Sequence, residues 1–225
     1  NQVHKPIFVE KLVSSNETYS YSLVNFQNSI LFTNNEIHML VPITQDIDSI
    51  DVEICQNNKT VFDETISETI FLNNHFFESN GEIVFSKMTK MNFAKYVIVE
   101  QVNKKLMEGE VDIKIKIGDE SLNFSSNVFW SNKPKSLNNI EEAIKYLNII
   151  GYKKDADSLY NISEDNQYSD LFNFWKKFDE DTTNSYNEVL DEFYSRIDFI
   201  QSEFNTLSKE DAVESDRGKV YLIFG

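Results

Sequence analysis

Between positions 109 and 118 the chain reads GEVDIKIKIG, in which Val111, Ile113, Ile115 and Ile117 alternate with Asp112, Lys114 and Lys116. A period of two puts the four apolar side chains on one face of a strand and the charges on the other. Six further segments before Trp130 share this character: ETYSYSLVNF, EIHMLVPI, DSIDVEIC, KTVFDETI, GEIVFS and KYVIVEQV. Each is short, rich in aromatic and β-branched residues, and bounded by Asn, Asp, Ser or Gly. NKKLMEGE, between the last of them and the alternating run, serves as a connection. No stretch of helical period interrupts the series, so residues 1–133 are expected to form an antiparallel β-sandwich of immunoglobulin-like type.

The period changes at WSNKPKSLNN, where Pro134 ends the extended pattern. Ile140, Ala143, Ile144, Leu147 and Ile150 mark one face of a helix that Asn138 or Asn139 caps and Gly151 ends. Leu171, Phe174, Trp175 and Phe178 repeat at helical spacing. A longer helix is expected over 185–207, because Tyr186, Leu190, Phe193, Ile197, Ile200, Phe204 and Leu207 step alternately by four and three. Ser185 and Glu188 sit at capping-box spacing at its start. The final run, VYLIFG, reads as a strand launched by a turn at Asp216-Arg217-Gly218. The expectation is therefore an α+β protein, with a helical module over 134–225 that closes on a β-strand.

Charge sharpens the division. The formal net charge is −16, distributed as −7 over residues 1–133 and −9 over the shorter remainder. Such a surface repels phosphate, which excludes nucleic acid as a partner and disfavours an anionic membrane surface. No run approaches the length of a transmembrane helix. Eighteen Phe and ten Tyr supply a substantial core. The chain begins without Met, which suggests a mature or trimmed protein and leaves secretion open, and no signal peptide is visible in it.

Candidate chemistry is sparse. His4, His38 and His75 are isolated from one another and from metal-ligand spacings, so no metal or cofactor is expected. Cys55, in the alternating run DSIDVEIC, is expected to be a small buried apolar residue. The acidic stretches at 163–170 and 179–183 read as helix-start capping. Trp130 and Trp175 are the aromatic residues that a sugar-binding reading would use, although Trp175 at helical spacing reads first as core. Arginine occurs only at 196 and 217 against nineteen lysines. A guanidinium offers five donors in a rigid fork, so both positions are expected to clasp structure. Arg217 should bond a helix C-terminal carbonyl or Asp179, and Arg196 should pair within the helical module.

The helical module resembles the GWxTD-domain family, a bacterial group of uncharacterised and mostly exported proteins. Phe174, Trp175, Lys176, Lys177 and Asp179 fit its first block. Asn187, Glu188, Phe193, Tyr194, Arg196 and Ile197 fit its second, and Asp216, Arg217, Gly218, Val220, Tyr221, Ile223, Phe224 and Gly225 its last. The signature itself is degenerate here, reading Ala212-Val213-Glu214-Ser215-Asp216. The resemblance implies Trp175, Asp179, Asn187, Tyr194, Arg196, Asp216, Arg217, Gly218 and Tyr221 as the motif residues, and a strand continuing past Gly225. It implies no reaction and no cofactor. The expected role is a non-enzymatic interaction or assembly module of the cell envelope with a protein partner. The alternatives are a carbohydrate- or ligand-binding module, or part of an enzyme in which Asp216 and Arg217 line a cleft.

Overall fold

A computed structural model describes residues 5–13, 19–24, 29–44, 47–73, 76–86, 93–204 and 211–225. His4, His75 and Leu207 lie outside them. The chain divides into two compact units, one of residues 1–131 with 183–186, the other of residues 132–182 with 187–225.

The first unit holds twelve strands among the described residues: β1 Ile7–Val13, β2 Tyr19–Leu23, β3 Ser29–Leu31, β4 Ile37–Ile43, β5 Ile50–Gln56, β6 Lys59–Ile66, β7 Thr69–Asn73, β8 Phe76–Ser79, β9 Glu82–Ser86, β10 Phe93–Val99, β11 Gly109–Ile117 and β12 Glu120–Phe129. They form a seven-stranded sheet ordered β7-β10-β4-β1-β2-β9-β8 and a five-stranded sheet ordered β3-β12-β11-β5-β6. Every pairing is antiparallel except that of β3 with β12.

Local chemistry explains much of the register. Asn57 and Asn58 both take positive φ, 52° and 59°, which suits the two-residue turn between β5 and β6. Asn80 and Gly81, at 54° and 84°, repeat the device between β8 and β9. The alternation of β11 is realised: Val111, Ile113, Ile115 and Ile117 are buried while Asp112 and Lys116 are exposed. On the seven-stranded sheet Val9, Tyr21, Leu40, Leu72, Tyr96 and Ile98 form one core cluster.

Cys55 departs from expectation. In β5 the buried phase belongs to Ile50, Val52 and Ile54. Cys55 is one residue out of phase and half-buried on the other face, its Sγ 3.6 Å from Thr60 Oγ1.

The second unit contains a short 3₁₀ turn at Lys135–Asn138 and five helices: α1 Ile140–Tyr146, α2 Lys153–Tyr160, α3 Glu164–Trp175, α4 Glu188–Glu203 and α5 Asp216–Phe224. Asn139 caps α1, its side chain accepting the Glu142 N–H at 3.2 Å. Beyond Tyr146 the chain tightens into 3₁₀-type turns and stops at Gly151, φ 89°. There the Tyr152 N–H reaches the Leu147 carbonyl at 3.0 Å and the Gly151 N–H reaches Asn148 at 3.2 Å, the paired bonds of a Schellman ending.

Two helix expectations are corrected. The long helix begins at Glu188, capped by Asn187, whose Oδ1 accepts the Leu190 N–H at 2.8 Å. Ser185 and Tyr186 belong instead to the β unit, where the Tyr186 ring lies 5.2 Å from Phe32 and 5.7 Å from Trp130. An aromatic anchor thus holds the segment that heptad spacing assigns to the helix.

The second correction concerns Asp216–Phe224, which form a helix and no β-strand. Ser215 caps α5 by accepting the Gly218 N–H at 3.0 Å, and Asp216 sits favourably in the first turn. Gly218 and Leu222, four apart, supply the buried face. A five-residue apolar run satisfies either period, and here the cap and the packing surface outweigh the β propensity of Val220 and Ile223.

Candidate functional site

The motif residues gather in the helical unit around α4 and its contacts. Trp175 closes α3 against α4, its ring 4.7 Å from Phe193 and 6.0 Å from Tyr194. Tyr194 is fully buried and its hydroxyl donates to the Ala143 carbonyl of α1 at 2.9 Å. Burial pushes that phenol well above its ordinary range, with the Trp175 indole N–H acting in the opposite sense. Asp198, one turn further along α4, accepts the backbone N–H groups of Lys135 and Ser136. It caps the 3₁₀ turn from a distance of more than sixty residues in sequence.

Arg196 pairs within the helical module as expected, and it also takes the helix-end carbonyl expected of Arg217. Arg196 forms the fork: Nε donates to Glu192 at 2.7 Å and Nη1 to the Leu222 carbonyl of α5 at 3.2 Å. Leu222 lies in the last turn of α5, where carbonyls lack helical partners, so Arg196 ties α4 to that helix end. Arg217, in the first turn of α5, lies with its guanidinium carbon 3.8 Å over the Phe204 ring. It does not clasp Asp179. Asp179 instead turns back to accept the Asp181 N–H at 3.1 Å, and it caps no helix. Partial burial, and the nearby Asp181 and Glu188, push its carboxyl above the ordinary range.

Gly218 has a packing role that differs from easing a turn. Ser215 Oγ accepts the Gly218 N–H and donates to the Ala212 carbonyl at 2.6 Å. This pair of hydrogen bonds at one hydroxyl draws α5 down onto residues 212–213. A Cβ at 218 would collide with the Ala212 carbonyl oxygen and come within 2.9 Å of the Val213 oxygen. Val213 is fully buried.

A polar knot that sequence reasoning missed holds the same turn. Tyr146 donates to Glu142 at 3.0 Å and accepts from Gln201 Nε2 at 2.7 Å. Asp211 lies 3.5 Å from that hydroxyl and accepts the Val213 N–H at 3.0 Å. Lys145 pairs with Glu214 at 2.7 Å and with Asp211 at 3.4 Å. Burial and the Glu142 bond push the Tyr146 phenol up, and the bond to Glu214 raises the Lys145 ammonium. No local spacing signals this knot, since Tyr146 is separated from Gln201 and Asp211 by more than fifty residues.

The α4 and α5 helices frame a groove of about 660 Å³ lined chiefly by Phe199, Phe204, Arg217, Val220, Tyr221 and Phe224. Phe199 and Tyr221 stack at 4.8 Å and 20°, and Phe204 meets Tyr221 edge-on at 5.5 Å. Large apolar side chains remain in water here: Phe199 is 42% exposed, Val220 59% and Phe224 79%, and Ile223, on the same helix but outside the lining, is 52% exposed. Asp216 and Arg217 are the groove's charged groups. One carboxylate beside one guanidinium among aromatic rings can bind charged and apolar groups together.

Among the described residues no group of three or more His, Cys, Asp or Glu side chains could hold a metal ion, and no helix is long and apolar enough to cross a membrane. Trp130 and Trp175 are each 4% exposed, and their ring faces are covered by other aromatics. In comparison with known proteins, the chain matches no family model, no curated protein and no solved structure.

Proposed function

We propose that this protein is a non-enzymatic, exported interaction module of the bacterial cell envelope. In this reading an immunoglobulin-like β-sandwich carries a GWxTD-like helical module that docks a protein partner through the α4–α5 groove. The observation that supports it is the exposure of Phe199, Val220, Ile223 and Phe224 together beside Arg217. A contiguous apolar patch of this kind on an otherwise charged surface marks an interaction site. The sugar-binding alternative draws no support from the two tryptophans, because neither presents a free ring face.

A photo-crosslinking residue at Val220, expressed in cells, tests the reading against the same residue at exposed Lys154. One discrete adduct from position 220, lost on Ile223→Asp and absent from position 154, supports docking. Adducts of equal pattern from both positions, or turnover of glycan or peptide by the purified protein that Arg217→Ala abolishes, overturn it.

A further inference from the structure

His38 is an ionisable group that the interaction reading leaves unused. It stands on β4, 1% exposed, on the face that carries Val9 and Leu40. The Tyr21 ring of β2 approaches it edge-on at 6.4 Å. Its Nδ1 accepts the Gln101 backbone N–H at 3.4 Å, while Nε2 is buried and has no hydrogen-bond partner. An Nδ1 that accepts must be unprotonated, so the ring carries its proton on Nε2.

Gln101 belongs to the turn at 100–107 that joins β10 to β11, and it is held at φ 52°, a left-handed conformation that costs a non-glycine residue energy. Several bonds hold the turn. Val102 N–H donates to the Ile37 carbonyl at 2.8 Å. Asn103 accepts the Ile37 N–H at 3.0 Å and donates to the Thr33 and Asn35 carbonyls at 3.0 and 2.9 Å. Gln101 Nε2 donates to Glu36 at 2.6 Å, and Lys104 pairs with the same carboxylate at 3.4 Å. At the far end Met107 and Gln56 exchange two bonds, at 2.7 and 2.9 Å.

We propose that the 100–104 segment is an acid-released latch: proton uptake at His38 Nδ1 turns the acceptor of the Gln101 amide into a second donor, and the segment leaves β4. Two donors cannot share one hydrogen bond, and a buried imidazolium needs acceptors at both nitrogens. Charged and titratable groups surround the ring. Glu36 faces it from the start of β4, Glu100 from the turn, Lys11 from β1, and Tyr21 from β2. A charged ring competes for Glu36, the carboxylate that otherwise holds Gln101 and Lys104.

The direction of the pH effect follows. Burial lowers the His38 pKa, against the opposing pull of Glu100 and Glu36 and with that of Lys11. A folded-state value below the unfolded one keeps the latch shut above about pH 6.5 and opens it progressively as pH falls through the folded value.

Amide hydrogen exchange by NMR at pH 7.5 and pH 5.0, corrected for intrinsic rates, tests the latch. Gln101 and Val102 should lose at least tenfold in protection at the lower pH, Met107 should keep its own, and the loss should follow the His38 imidazole midpoint. His38→Asn supplies an acceptor near the Nδ1 position without titrating, and should abolish the difference. If that variant fails to fold, coincidence of the Gln101 amide and His38 imidazole midpoints in the wild type decides. A His38 that stays neutral to pH 5.0, a latch that stays protected while His38 titrates, or equal loss at Met107 overturns the proposal.

Discussion

Gly218→Ala sets two general effects against each other at one residue. Helix propensity alone makes alanine better than glycine within a helix by about 1 kcal/mol. The new methyl, however, would meet the Ala212 carbonyl oxygen and lie 2.9 Å and 3.0 Å from the Val213 oxygen and Cα. All three atoms are backbone, fixed by the Ser215 bond to Ala212 and the Asp211 bond to Val213. Overpacking against such groups costs roughly 1–3 kcal/mol and can exceed that where backbone must move. The clash is severe enough for the upper part of that range, so the variant should be less stable by roughly 1–2 kcal/mol net. Urea denaturation of the full chain, followed by near-ultraviolet circular dichroism of the helical unit's aromatics, measures the shift. Lys219→Ala, at the exposed neighbouring position, controls for propensity and should change little. A Gly218→Ala protein as stable as wild type, or more so, would show that α5 does not press on residues 212–213.

Further tests address other supports. Asn187→Ala removes the α4 cap and should cost about 1 kcal/mol, read as a lower denaturation midpoint with unchanged slope. Tyr194→Phe strips the Ala143 carbonyl of its buried donor and should cost roughly 1–3 kcal/mol by the same measurement. Arg196→Lys should lower the melting temperature because an ammonium cannot reproduce the fork between Glu192 and the Leu222 carbonyl, whereas Arg217→Lys should lower it less. Asp179 has a raised pKa, so its charge opposes folding; the cost is absent below about pH 4 and sets in as pH rises through the folded value. Asp179→Asn, which keeps the acceptor for Asp181, should therefore melt higher than wild type at pH 7 and equally at pH 3.5.

Legibility followed the range of the interactions. The β11 alternation and the α1 cap, narrowed to Asn138 or Asn139, are each determined within a few residues, and each was readable. Asn187 was named as a motif residue, yet the cap was placed two residues early, because Ser185-Tyr186-Asn187-Glu188 satisfies two local patterns. Only the aromatic contact of Tyr186 with Phe32 and Trp130 chooses between them. Cys55 misled through phase: the eye continues the apolar series, but the ladder with β11 places Ile54 inward and Cys55 outward.

By itself the sequence determined that strands come first and helices second, that the surface is acidic, and that two arginines stand apart from nineteen lysines. These are properties of composition and short periods, which survive without knowledge of any neighbour. Tertiary structure alone decided that VYLIF is helical, that Arg196 rather than Arg217 reaches a helix-end carbonyl, and that Tyr146, Gln201 and Asp211 meet. It also decided that His38 faces the Gln101 amide across sixty-three residues. A short apolar run or a polar side chain has several acceptable partners of similar energy. Only the groups that folding brings alongside, with their buried donors and acceptors to satisfy, select one.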